Sequence, residues 1–275
     1  MAECEPSAQG GDYKGDVLVL PDLGWPLPDT VGAIMTTRAG GVSEGPYGLP
    51  GGGVGGLNLG TRCGDDPARV QANRQRLRAM LPSEPVWLNQ VHGSEVNVAV
   101  RSDRSPAESV EPVADAAVTA DPGVVLCIQC ADCLPVLFSD EAGARIGAAH
   151  AGWRGLAGGV LESCINALHA LPGPSSEIVA WLGPAIGPTA FEVGEDVLDA
   201  CLVGDPGAGS CFSRTGKPGK WMADLFSLAR RRLDRAGIHK IGGGGQCTVS
   251  LEEHYFSHRR DRVSGRQAAL IWIKG

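Results

Sequence analysis

The stretch Val124-Val-Leu-Cys-Ile-Gln-Cys-Ala-Asp-Cys-Leu-Pro-Val-Leu-Phe138, followed by Arg145-Ile-Gly-Ala-Ala-His150, decides how the chain reads. Residues 124–128 form a short apolar, β-branched run, as expected of a buried strand. Residues 136–138 resume after Pro135, and 145–150 have the character of the returning strand of a hairpin. Outward from this centre, 86–88, 178–182 and 268–273 read as further strands. Helical spacing separates them. Asp66 followed by Pro67 predicts an N-cap and a helix through Val70, Leu77 and Met80, ending before Pro82. Leu156, Val160, Ile165 and Leu168 predict a helix over 155–171. Further helices are expected near 195–202 and over 222–236, the last facing Leu225, Leu228, Ala229 and Leu233 inward and stopping at Gly237.

Strands and helices interleave, yet several strands are joined by short turns. That predicts an α/β layered sandwich with mixed β-sheets rather than a purely parallel sheet. No internal repeat or linker divides the chain. Residues 1–15 are expected to be a frayed leader and 16–275 a single domain. The run Gly48-Leu-Pro-Gly-Gly-Gly-Val-Gly-Gly56 lacks the lysine and following helix of a phosphate-binding P-loop, so it reads as a flexible surface loop.

The chain has 275 residues, a formal charge of −7 and no long basic run. This argues against nucleic acid or an anionic membrane as its main partner. No stretch approaches the roughly 18 apolar residues of a membrane span. The N-terminus has neither a cationic start nor an apolar segment. Nine scattered cysteines do not form a disulfide framework for a chain of this size. Reduced thiols in the cytoplasm are the expectation, whereas oligomeric state is not legible.

Chemistry concentrates in three short segments. Cys133 in Ala131-Asp-Cys133, His150 in Ala149-His-Ala-Gly-Trp-Arg-Gly155 and His92 in Asn89-Gln-Val-His-Gly93 are a chemically plausible ligand set for one zinc ion. Three protein ligands leave a position open for water or substrate. Cys133 has two active readings, a metal-bound thiolate or a nucleophile activated by histidine. Asp132 beside it fits an orienting group or a general base. Arg154, next to a glycine at a predicted helix start, suits an anion or simply covers Trp153. Cys127, Cys130 and Cys133 mimic the opening of an iron–sulfur run, but the cysteine–proline that should follow is missing.

Thr36-Thr-Arg-Ala-Gly-Gly-Val-Ser43, Leu57-Asn-Leu-Gly60, Asn89-Gln-Val-His-Gly93, Ala131-Asp-Cys133, His150-Ala-Gly-Trp-Arg-Gly155, Leu182-Gly-Pro-Ala-Ile-Gly187, Cys247-Thr248 and Phe256-Ser-His-Arg-Arg-Asp261 occur in one order. Together they resemble the YfiH-type laccase-domain family, also called the polyphenol oxidase or purine nucleoside phosphorylase family. The resemblance implies a fold related to the catalytic domain of a cytotoxic necrotizing factor. It also implies zinc on His92, Cys133 and His150, with copper as the other candidate ion. Its activity would be phosphorolysis of adenosine, inosine, guanosine or methylthioadenosine to base and ribose 1-phosphate, together with hydrolytic deamination of adenosine. Purine nucleoside and phosphate are then the small-molecule partners. Arg154, Arg38, Asn58, Gln90, Arg259 and Arg260 are expected to hold them, and Asp132 to do acid–base work. The rivals are a peptidoglycan-editing amidase, a copper-dependent polyphenol oxidase and a non-enzymatic, zinc-stabilised binding module. The second would need more histidines than the six present if it were multicopper.

Overall fold

Alternation along the strand Val125–Cys130 sets the layers. Leu126, Ile128 and Cys130 point to one side and Val125 and Cys127 to the other, and both sides are covered. The computed structural model describes residues 13–14, 17–19, 25, 27–101 and 110–275. Two six-stranded sheets stack face to face. The first runs in the order Tyr13–Lys14, Val17–Val19, Val31–Thr36, Gln267–Ile273, Val125–Cys130, Pro85–Val86. The second runs Ile241–Gly243, Ile178–Leu182, Leu134–Asp140, Ile146–Ala151, Ala116–Thr119, Val96–Val98. Both are antiparallel through the centre. Parallel pairing occurs at one edge of the first sheet and at both edges of the second. The sheets are therefore mixed, as expected. A small third sheet joins Glu192–Gly194, Lys220–Ala223 and Phe212–Arg214.

Met35, Leu126, Ile128 and Ile271 of the first sheet meet Leu137, Ile146, Val179 and Trp181 of the second. Leu77 of the helix Pro67–Arg78 packs on the outer face of the first sheet with Leu270 and Cys127. The outer face of the second sheet, including Val136, Phe138 and Ala180, is covered by the helices Trp153–Gly158, Val160–Ala170, Glu195–Leu202 and Leu225–Arg235. The result is a helix–sheet–sheet–helix sandwich in one domain. Each large apolar side chain buried here contributes on the order of 2 kcal/mol before entropy is counted.

Several boundaries differ from expectation. The first helix stops at Arg78, and Met80 is exposed. The helix expected over 155–171 is two helices, because Gly159 takes φ 86° and breaks the ladder between them. The helix expected from 222 begins at Leu225. Asp224 accepts the Phe226 and Ser227 amides as its cap, and Lys220–Ala223 pairs as a strand instead. Only Pro85–Val86 of the upstream strand pairs. The glycine-rich run lies at the surface, but it is tied by Leu49 N–H to the Gly53 carbonyl and by Gly55 N–H to the Ser43 carbonyl. Of the expected leader, Tyr13–Lys14 is a strand paired with Val17–Val19; the remaining residues lie outside those described.

The most consequential feature is a short crossing. Val125–Cys130 belongs to the first sheet and Leu134–Asp140 to the second, so Ala131-Asp-Cys133 carries the chain between sheets. Leu134 then pairs with Ala151 and Pro135 with His150. This register delivers Cys133 to the His150 end of the hairpin.

Candidate metal centre

Once the crossing and the hairpin are fixed, His92, Cys133 and His150 converge. One ligand atom from each lies within 4.8 Å of the others. His92 Nε2 is 3.7 Å from Cys133 Sγ, and the two imidazoles meet edge to face with centroids 4.8 Å apart. They form the only such group among the described residues. His92 is exposed, Cys133 half-buried and His150 buried, so the cluster opens at one side.

Asp115, a residue the sequence reading passed over, organises the site. It is fully buried. Its Oδ1 accepts the His150 Nδ1 proton at 2.8 Å and the His92 amide at 2.9 Å. Its Oδ2 accepts the amides of Val91 at 3.0 Å and Gly93 at 2.6 Å. Three successive amides thus hold a loop in which His92 adopts φ 63°, a conformation that costs a non-glycine residue on the order of 1–3 kcal/mol. With Nδ1 occupied, His150 is left with Nε2 as its ligand atom. Burial and the His150 bond oppose each other at Asp115, and the bonds prevail, holding its pKa below the ordinary carboxylate value. The signal available beforehand was a single carboxylate inside the small apolar run Ala114-Asp-Ala-Ala-Val118.

The donor set fits a metal. Burial raises the Cys133 thiol, but the charge of His150 and hydrogen bonds from both histidines outweigh it and bring the pKa to about 6. Burial lowers His150, but Cys133 and Asp115 outweigh it in turn and raise the pKa to about 9. A thiolate and a carboxylate therefore favour one positive charge here, whether proton or metal ion. Glycine at 152 keeps the centre open, since a Cβ there would stand 2.8 Å from Cys133 Sγ and 3.3 Å from His92 Cδ2. Cys127 and Cys130 point to opposite sides of their strand, and burial raises both thiols, so neither joins Cys133.

The cluster faces a cavity of about 460 Å³. Of the residues expected to hold substrate, Gln90 and Arg259 line it, with Asp132. Gln90 spends both ends of its amide on the backbone of Gln129. Asp132 has φ 87°; its carboxylate accepts the Thr248 hydroxyl at 2.6 Å and the Arg259 amide at 2.6 Å. Each of its oxygens is thereby engaged, and the side chain ties the crossing to residues 248 and 259. The other expected residues lie outside the cavity lining. Arg38 is buried against Phe256 and donates to the carbonyls of Gly48 and Glu252. Asn58 is consumed by Gly60, Cys63, Asp65 and the Arg266 amide. Arg260 donates to Thr248, Val249, Tyr255 and Asp261. Arg154 is exposed and lies over the Trp153 ring, 4.3 Å from its centroid, and is not part of the cavity wall. Arg266 and Arg62 line the cavity as well.

Fold and site together define a class of mixed, four-layered α/β proteins with a His–Cys–His cluster at a sheet-to-sheet crossing. The chain belongs to the family described as multi-copper polyphenol oxidoreductase laccase, whose model matches residues 32–274. It is 46% identical over 258 residues to the purine nucleoside phosphorylase YfiH of Escherichia coli (strain K12), covering 93% of this chain and 98% of that protein. It is 50% identical over 271 residues to a purine nucleoside phosphorylase of Xylella fastidiosa, covering 96% and 99%. Among solved structures, Neisseria meningitidis protein NMB0706 is similar with a TM-score of 0.82 and 44% identity, over 95% of this chain and 100% of that one. YlmD from Geobacillus stearothermophilus gives 0.84 and 32%, over 96% and 98%.

Proposed function

We propose that the chain is a zinc-dependent purine nucleoside phosphorylase that cleaves adenosine, inosine, guanosine or methylthioadenosine and also deaminates adenosine hydrolytically. The observation that carries this reading is the His92–Cys133–His150 cluster opening into a cavity of about 460 Å³, within the range of small-molecule sites. Relatives of that name span nearly the whole chain at 46–50% identity. Leu88, Ile186 and Phe191 give the cavity apolar surface suited to a purine, and its arginines suit an oxyanion. Zinc bound by the three ligands would supply Lewis acidity at the open position.

In phosphorolysis, a phosphate oxygen forms the bond to C1′ while the C1′–N9 bond breaks, and the purine leaves with the electron pair and gains a proton. The protein's part is to exclude bulk water and to hold phosphate and ribose in line. Asp115 keeps His92 and His150 in place, and Asp132 keeps Cys133 in register with Arg259. In deamination, water adds at C6 and ammonia departs.

A sulfur–nitrogen donor set also suits copper. Polyphenol oxidation is nonetheless disfavoured, because the described residues offer one three-residue cluster and no methionine to the cavity wall. Eight cysteines are free thiols among the described residues, which supports a reducing cytoplasm as the location. No described helix is long and apolar enough to cross a membrane.

The test is to incubate metal-analysed protein with adenosine or inosine, with and without phosphate, and separate the products by chromatography. Ribose 1-phosphate formed only with phosphate is expected, as is inosine from adenosine without it. Neither product, with cleavage of a muropeptide amide, would transfer the site to the editing reaction. Cys133→Ser should lose both metal and activity; zinc retained with activity lost would make Cys133 a nucleophile instead.

A further inference from the structure

We infer that Arg259 and Arg266 form a preorganised phosphoryl-binding wall in the cavity beside the metal cluster. The claim rests on the phosphorylase reading only for which phosphate is used in the cell. Among the described residues, three arginines line the cavity but only one carboxylate does. That carboxylate, Asp132, is already occupied by the Thr248 hydroxyl and the Arg259 amide. The lining is therefore cationic in a chain whose net charge is −7. Such a local reversal of sign favours an anionic ligand.

The arginines differ in what holds them. Arg62 is largely exposed and paired with Glu111 at 2.6 Å, so its charge is already matched. Arg259 Nη1 donates to the carbonyls of Ala190 and Glu192, and its guanidinium lies over the Phe191 ring. Arg266 Nη1 donates to the carbonyls of Ser264 and Gly265. Its stem passes over Gly60, where a Cβ would stand 2.7 Å from Arg266 Cγ. Among the described residues, neither Arg259 nor Arg266 has a carboxylate within ion-pair distance. Neutral carbonyls fix both side chains without cancelling their charge. The ordering cost is met on folding, and each guanidinium keeps donors for a tetrahedral oxyanion. Arg38, Arg154 and Arg260 lack this combination of fixed position, unmatched charge and access to the cavity.

Inorganic phosphate and the 5′-phosphate of a nucleotide both offer this phosphoryl group, and calorimetry separates the two. Zinc-loaded protein is titrated with inorganic phosphate and, separately, with adenosine 5′-monophosphate and adenosine. Arg259→Gln and Arg266→Gln should each weaken phosphate binding by about tenfold or more, with adenosine binding within twofold. Arg266→Lys should fall between, because the charge stays while the planar fork is lost. Arg214→Gln, which removes an arginine over Trp221 outside the cavity, should leave phosphate binding unchanged. Unfolding midpoints and zinc content report whether each variant is intact. Unchanged phosphate affinity in intact Arg259→Gln and Arg266→Gln proteins overturns the wall, even if phosphorolysis proceeds. The expected losses without any base release would keep the wall and remove the phosphorylase reading. Arginine-dependent binding of the nucleotide, with no binding of free phosphate, would assign the wall to a 5′-phosphate.

Discussion

Replacing the Asp115 carboxylate by an amide tests how much of the metal centre lies behind its ligands. Asp115→Asn keeps the shape but loses the charge and turns an N–H toward donors that are now unmatched. Removing such a partner from a metal-ligating histidine typically costs 10–100-fold in metal affinity. Competition with a chromogenic chelator should show zinc held at least about tenfold more weakly, with the circular dichroism spectrum retained. Unchanged affinity would mean that His92 and His150 hold their places without it. Gly152→Ala acts from the other side. Its methyl would meet Cys133 Sγ and His92 Cδ2, two groups carried on different segments. The crowding should cut the zinc recovered per chain by more than half, with a loss of stability of about 1–3 kcal/mol. Full zinc occupancy in that variant would show that the segments separate freely.

At the level of elements, the sequence made visible what depends on short-range chemistry. Cys133, His92 and His150 stand out because each sits among small residues, and Ile178–Leu182 and Glu195–Leu202 match their predicted bounds. The crossing at Ala131-Asp-Cys133 did not, since a strand buried on both faces reads the same in either sheet. Asp115 was hidden for a related reason: its worth lies in three loop amides and an imidazole brought together by strand pairing, not in its neighbours. The arginines were recognisable as cations, but where each guanidinium ends depends on which carbonyls the fold presents. Met222 and Leu225 fit a helical stripe, yet the chain pairs as a strand until Asp224 caps the helix. Asp224→Ala removes the acceptor for two amides and the Ser227 hydroxyl. It should cost about 0.5–2 kcal/mol, read from a urea midpoint, without altering zinc content. A neutral outcome would make the preceding strand, rather than the cap, the determinant of where that helix starts.

On the scale of the whole molecule, the four layers bury the central strands of both sheets, and the site sits where the chain passes between the sheets. Its precision therefore draws on the stability of every layer, including the helices on the outer face of the second sheet. Asp205 is a buried tie within that layer. Its carboxylate takes two hydrogen bonds from Arg231, at 2.6 and 2.7 Å, and an ion pair from Arg235 at 3.1 Å. The Arg231 bonds outweigh burial and, with Arg235, bring its pKa to about 2, below the ordinary 3.8. A carboxyl held low in the folded state favours folding fully above the unfolded value, near pH 4. As the pH falls from there, the unfolded chain takes up the proton first, so the contribution shrinks and is gone below about pH 2. Both arginines are substantially exposed, at 37% and 50% of the side chain, so solvent screening limits the contribution at neutral pH to about 1–2 kcal/mol. Asp205→Asn should therefore unfold at lower urea than the native chain at pH 7. The gap between the two midpoints should hold steady down to about pH 5 and narrow from pH 4 towards pH 2.5. A gap that stays constant across that range would show that the side chain acts through packing and neutral hydrogen bonds, not through its charge.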